Sequence, residues 1–162
     1  MLPRGETAGL LARLLAFAVP AGLLGGAYIG QYGFDLYPCE MCWWQRYPHF
    51  LALALAAIAL LRPPSRPLVT LAALAVIVSG LIGAFHAGVE YHWWEGFTSC
   101  STPTSLSGNP DPLQAILDAP LIRCDQVQWQ FKGISLAGFN FLISVSSGLV
   151  MLWLLARSRK AA

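Results

Sequence analysis

Apolar positions gather into four long stretches separated by three polar connections. They run from about Leu10 to Ile29, Trp43 to Leu61, Leu68 to Val89 and Ile134 to Ala156. Each is close to the roughly 20 residues that a helix needs to cross a hydrocarbon core of about 30 Å. Backbone exposed to lipid must satisfy its own N–H and C=O groups, so the stretches predict helices. The expected fold is an all-α membrane protein: one domain over residues 1–162, built as a four-transmembrane-helix bundle with outer loops at about 30–42 and 90–133. The first stretch, flanked by Arg4 and Arg13, also has the outline of a signal peptide. No convincing small-x-small cleavage site follows it, so a retained helix is expected.

Composition agrees. Of the 162 residues 56% are hydrophobic and 11% charged, against about 25% charged in an ordinary soluble domain. Lipid must therefore cover much of the exterior. A net charge of +2 gives no reason to expect a nucleic-acid partner. The distribution of charge is more telling. If all four helices cross, Arg4, Arg13, Arg62, Arg66, Arg157, Arg159 and Lys160 share one side, seven of the ten basic residues. Arg46, Arg123 and Lys132 share the other side with seven of the eight acids: Asp35, Glu40, Glu90, Glu95, Asp111, Asp118 and Asp125. The positive-inside rule then places both termini in the cytoplasm.

All four cysteines, Cys39, Cys42, Cys100 and Cys124, fall in the two outer loops. Free cysteine packs as a small hydrophobe and would often sit within a span; an even number confined to the outer face points to disulfide chemistry. Of the three possible pairings the sequence favours Cys39–Cys42, a C-x-x-C, and Cys100–Cys124, which share a loop. Two other readings stand beside this one. A four-cysteine zinc site would normally use two C-x-x-C knuckles, which the spacing of Cys100 and Cys124 does not supply. Two inert structural disulfides are the plainer alternative, although a bridge over two intervening residues removes little unfolded-state entropy. With Pro38 at the first helical position, Cys39 and Cys42 would lie in a first turn, where the helix dipole favours a thiolate. Arg46 follows Cys42 by one turn on the same face.

Ionisable residues inside spans are functional candidates by default. Arg46 could stabilise a thiolate or an oxyanion beside Cys42, or snorkel to the outer headgroups among Trp43, Trp44 and Tyr47. His86 is expected at similar depth, with Glu90 one turn beyond, either orienting it or solvated. Asn140 is expected to hydrogen-bond between helices. Leu113, Ile116 and Leu117 would share a face of a short surface helix. A cation and hydrogen-bond donors at the outer lipid boundary, beside a reactive thiol, suit the head group of a quinone, whose oxygens gain negative charge on reduction.

These residues resemble the family of disulfide-bond formation protein B (DsbB). The likeness rests on Pro38-Cys-Glu-Met-Cys42 with Gln45-Arg46, on Phe85-His-Ala-Gly-Val-Glu90, and on Thr98-Ser-Cys100. Arg123-Cys-Asp125, the run from Trp129 to Gly138 and Asn140 extend it. The resemblance implies a bacterial inner-membrane, protein-disulfide:quinone oxidoreductase whose loops face the periplasm. It implies that Cys100–Cys124 is attacked by a reduced DsbA-like thioredoxin-fold oxidase, Cys100 forming the mixed disulfide. Cys39–Cys42 would then reoxidise the loop pair by exchange. Cys42 would face the quinone, ubiquinone or menaquinone, with Arg46 as its main partner and His86 as a neighbour. No metal, flavin or nucleotide motif is present. A related thiol oxidase with a dedicated partner, and a non-enzymatic membrane protein with structural disulfides, are the competing expectations.

Overall fold

The apolar stretches form four helices in a computed structural model, which describes residues 4–62, 65–96 and 122–160. Helix α1 spans Arg4–Gly33, α2 Glu40–Leu61, α3 Arg66–Glu90 and α4 Leu136–Lys160. A small antiparallel hairpin of β1 (Gln130–Phe131) and β2 (Ile134–Ser135) leads into α4. Three helical segments among the described residues are long and apolar enough to cross a membrane: Gly5–Gly33, Arg66–Glu90 and Leu136–Ser158. Helix α2 falls outside that set, since its first half carries Gln45, Arg46, Pro48 and His49 and only its second half is uniformly apolar.

The helices meet through small side chains. Ala12 and Ala16 of α1, Ala52, Ala56 and Ala59 of α2, and Ala72, Ala73 and Val76 of α3 are fully buried, closed off by Met151, Leu154 and Leu155 of α4. Large apolar residues point outward instead, among them Leu51, Ile58, Leu71, Leu81, Leu149 and Trp153. Small residues inside and large ones outside is the packing of helices in lipid, where close backbone approach rather than water exclusion drives association. Helix α3 packs on α2 and α4, and α1 on α4 and α2, while α1 touches α3 only slightly and α2 and α4 meet least. The helices thus close a ring, and the short link between α2 and α3 makes those two antiparallel neighbours.

The hairpin modifies the all-α expectation. Ile134 and Ser135 pair with Phe131 and Gln130 rather than opening the last helix. Lys132 and Gly133 both have positive φ, 50° and 79°, as a two-residue turn with the twist of a hairpin requires. Tyr91, just past α3, fastens it: its hydroxyl donates to the Gly133 carbonyl at 3.0 Å and accepts from the Ser135 N–H at 2.7 Å. Ser135 Oγ then accepts the Gly138 N–H at 3.1 Å, capping α4. The surface helix expected around Leu113–Leu117 lies outside the described residues, as does Cys100.

Candidate functional site

Helix α2 starts two residues later than the Pro38 rule predicts. Cys39 is the cap, with φ −75° and ψ 175°, and its sulfur accepts the Cys42 N–H at 3.3 Å. A sulfur in that place satisfies one of the orphan N–H groups of the first turn, which a proline ring cannot do. Cys42 is thereby the third helical residue, and its Sγ lies 2.8 Å from that of Cys39 as a dithiol. The second outer loop returns to the same place. Cys124 and Ile122 are buried against Cys39, Met41 and Val89, with Cys42 and Phe85 at the edge of the cluster.

The two thiols of the C-x-x-C are unlike. Hydrogen bonding to the Cys124 sulfur, then to Cys42, and then burial push the Cys39 thiol well above its ordinary range. Cys42, ahead of the apolar run that begins at Trp43, is held below that range by the hydrogen bond from the Cys39 side chain, against the opposing effect of burial. Of the two, Cys42 is the thiol that gives up its proton first. Outside this cluster Arg123 forks onto Asp125, Nε to Oδ1 at 2.8 Å and Nη2 to Oδ2, and holds that exposed carboxyl low. A cavity of about 570 Å³ opens beside Cys124 and Asp125, walled by Trp93 and Trp94.

His86 is 2% exposed, with Nε2 3.5 Å from Cys39 Sγ and 3.8 Å from Glu90 Oε1. Glu90 is therefore not solvated: its side chain is 8% exposed. On the other side of the ring, Gln45 Nε2 meets His86 Nδ1 at 2.8 Å. Asn140 links helices as expected, donating from Nδ2 to Gln45 Oε1 at 2.8 Å and to the Ser79 carbonyl at 3.1 Å. Its Oδ1 receives Ser144 Oγ at 2.8 Å and His49 Nε2 at 3.0 Å. Gln45, met in the sequence only as part of the motif with Arg46, joins His49, Ser79 and Ser144, which sequence reasoning did not single out. A signal for two of them existed. Met41, Gln45, His49, Ala52, Ala56 and Ala59 recur at helical spacing and form one buried face of α2, so the alanines mark Gln45 and His49 as inward-facing.

Arg46 is also buried, but among other residues. Its guanidinium lies 4.9 Å from the ring centroids of both Tyr28 and Trp43. Nη1 donates to Gln31 Oε1 at 2.7 Å and Nη2 to the Ala27 carbonyl at 3.4 Å, both on α1. The structure thus brings Cys39, Cys42, Cys124 and His86 into one cluster and seats Arg46 one turn from Cys42 against α1.

The DsbB family model, described as disulfide bond formation protein DsbB, matches residues 10–154. The chain belongs to the DsbB family. It is similar to a disulfide bond formation protein B of Aromatoleum aromaticum, 31% identical over 153 residues, covering 88% of this chain and 90% of that one. A protein of the same description from Polaromonas sp. strain JS666 is 32% identical over 160 residues, covering 90% and 91%. One from Verminephrobacter eiseniae is 30% identical over 154 residues, covering 92% and 86%. No solved structure gives a significant match.

Membership of the DsbB family makes the chain a membrane thiol oxidase serving disulfide bond formation. The dithiol geometry suits that chemistry: exchange needs a thiolate to attack and a low-pKa thiol to leave, and Cys42 supplies the second. The same cluster has a second chemical aspect, since the ligand atoms of Cys39, Cys42 and His86 lie within 4.8 Å of one another, close enough to share a metal ion.

Proposed function

We propose that this chain oxidises a reduced DsbA-like thioredoxin-fold protein in the periplasm and passes the electrons to membrane quinone, ubiquinone or menaquinone. The observation that carries the reading is the burial of Cys124, from the second loop, against Cys39 of the C-x-x-C. A relay between two disulfides needs that contact, and two structural bridges would not.

In the relay a partner thiolate attacks Cys100 of the Cys100–Cys124 disulfide and Cys124 leaves as a thiolate. The second partner thiol then resolves the mixed disulfide and frees Cys100. Cys124 attacks Cys39; the Cys39–Cys42 bond breaks and its electron pair departs on Cys42. Cys100 attacks Cys124, re-forming the loop disulfide and releasing Cys39. The net result is a partner disulfide and a Cys39–Cys42 dithiol.

Bound quinone would supply the two-electron, two-proton oxidant that returns Cys39–Cys42 to the disulfide. The residues around Cys42 fit a quinone head group. Arg46 is 6% exposed and flanked by two aromatic rings, so its charge acts in a weakly screened setting. Among the described residues two of its five N–H donors are engaged. Arg46 and Cys42 would hold the group, and His86 would border it through Cys39.

In this proposal all four helices cross the inner membrane, both termini are cytoplasmic and the cysteine loops are periplasmic. Helix α2 has 22 residues, enough to span, and its polar half turns Gln45, Arg46 and His49 inward rather than to lipid. The test is quinone reduction by the purified protein with a reduced DsbA-like dithiol as donor. Stoichiometric partner disulfide and quinol are expected. A partner that stays reduced, or partner oxidation without quinone consumption, would overturn the proposal.

A further inference from the structure

The polar chain that ends at Cys39 has a direction, because backbone carbonyls fix it at two points. Asn140 Nδ2 faces the Ser79 carbonyl at 3.1 Å, and Gln45 Nε2 faces the Met41 carbonyl at 3.2 Å. A carbonyl oxygen only accepts, so both atoms are amide nitrogens rather than flipped oxygens. The pairing of Asn140 Nδ2 with Gln45 Oε1 at 2.8 Å agrees with both assignments. Gln45 Nε2 therefore donates to His86 Nδ1 at 2.8 Å. A ring nitrogen that accepts carries no proton, so neutral His86 has its proton on Nε2. The imidazolium is excluded by the same contact, since two N–H groups would then face each other. The surroundings of Nε2 are consistent: Cys39 Sγ lies at 3.5 Å, the Cys124 backbone carbonyl accepts from the ring, and the Glu90 carboxyl stands further off at 3.8 Å.

We propose that Gln45 and Asn140 are positioning residues that lock His86 as the Nε2–H tautomer, making it a hydrogen-bond donor towards the Cys39 sulfur and the Cys124 carbonyl beside it and denying it a role as metal ligand or proton acceptor. On the relay proposed above, Cys39 is the sulfur released when Cys100 resolves the Cys39–Cys124 bridge. The His86 N–H meets the electron pair that arrives there. The lock also bears on the metal-like spacing of Cys39, Cys42 and His86. A histidine binds a metal through a bare ring nitrogen, normally with the other nitrogen donating to an acceptor. Gln45 enforces the reverse, so the periplasmic dithiol can be reduced without a complete two-cysteine, one-histidine site forming.

Two measurements on the full-length reduced protein in detergent test this, and neither requires a quinone or a partner, so they stand or fall apart from the oxidase reading. The first is ¹⁵N NMR of histidine-labelled protein, with His86→Ala to assign the signals. A pyridine-like Nδ1 and a pyrrole-like Nε2 are expected at His86; the opposite pattern, or the averaged shifts of a mixture, would overturn the lock. The second uses Gln45→Glu, which keeps an acceptor for Asn140 but offers His86 Nδ1 a carboxylate. The tautomer should invert, and Cd²⁺ should serve as the probe in a Cys100→Ser/Cys124→Ser background. Thiolate-to-Cd²⁺ absorption titrations should show affinity rising about tenfold or more in Gln45→Glu, the scale of an outer-shell effect on a metal site. Adding His86→Ala should abolish that gain, while His86→Ala alone should leave Cd²⁺ affinity unchanged. If His86→Ala weakens Cd²⁺ binding with Gln45 intact, His86 is already a ligand and the proposal fails. Should Gln45→Glu not fold, the NMR pattern of the unsubstituted protein decides alone.

Discussion

The guanidinium of Arg46 lies over the indole of Trp43, 4.9 Å from the ring centroid, one turn after Cys42. The aromatic faces and the α1 acceptors Gln31 and Ala27 hold the charge in one place. Preorganised charge at a developing anion is typically worth about 10² to 10³ in rate. Arg46→Ala should thus slow quinone reduction by about that factor and weaken quinone binding, with thiol exchange with the partner close to normal. Arg46→Lys should recover part of the loss, since a point charge lacks the planar fork. Steady-state rates over a range of quinone concentrations, with single-turnover exchange as control, make the measurement. Unchanged quinone kinetics in both variants would reduce Arg46 to a helix-packing residue.

The unlike thiols of the C-x-x-C give a pH prediction. Cys42 is held below the ordinary thiol range and Cys39 above it, so lowering pH protonates Cys39 first and Cys42 last. In the reduced protein iodoacetamide should modify Cys42 before Cys39 at neutral pH, and Cys42 labelling should persist into acid where an ordinary thiol has stopped reacting. Site-resolved mass spectrometry across pH reads both rates. Faster labelling of Cys39 would reverse the assignment.

Much of this arrangement is legible in the sequence because it follows from local rules. The apolar stretches dictate the helices, the C-x-x-C marks its own turn, and Asn140 within a span calls for a partner on another helix. What is not legible depends on phase and on distant contacts. Gln45 reads as one position of the motif, with no role of its own, and His49 as an ordinary polar residue, until the alanines of α2 show which face is inward. Cys39 displaces Pro38 from the expected helix start because its sulfur takes the cap, a local competition that a proline rule does not contain. The hairpin before α4 depends on Tyr91, some forty residues earlier in the chain, so no window of sequence around Ile134 reveals it.

The two cysteines of the second loop should be needed only for the partner. Cys100→Ala or Cys124→Ala should block oxidation of the DsbA-like protein, yet Cys39–Cys42 should still be reduced by a small dithiol and reoxidised by quinone. Quinol yield with each donor separates the two steps. Normal partner oxidation in Cys100→Ala would mean that the partner attacks elsewhere.

Topology is open to a direct check. On the proposed topology a reporter fused at Ala162 should be active only in a cytoplasmic assay, since that topology gathers seven of the ten basic residues on the inner side. Alkaline phosphatase activity from that fusion would put the cysteines on the reducing side and remove the basis of the relay.

Gly83 offers the last prediction, because it links packing to the site. A Cβ built there would stand 2.9 Å from the Ala137 carbonyl, 3.0 Å from Asn140 Nδ2 and 3.1 Å from Gln45 Oε1. The backbone carbonyl cannot yield without moving α4, and the two amides cannot yield without losing the 2.8 Å bond between them. Overpacking of this kind costs about 1 to 3 kcal/mol. Gly25 of α1 provides the control: nothing lies within 4 Å of its Cβ position, so Gly25→Ala should be neutral or should gain up to about 1 kcal/mol from helix propensity. Thermal unfolding in detergent should therefore show Gly83→Ala below the unsubstituted protein and Gly25→Ala level with it or above. Gly83→Ala should in addition perturb the His86 ring signals, since the damage falls on the amides that position it. A Gly83→Ala protein as stable as the parent, with unchanged histidine signals, would mean that α3 and α4 are not as close as the amide chain requires.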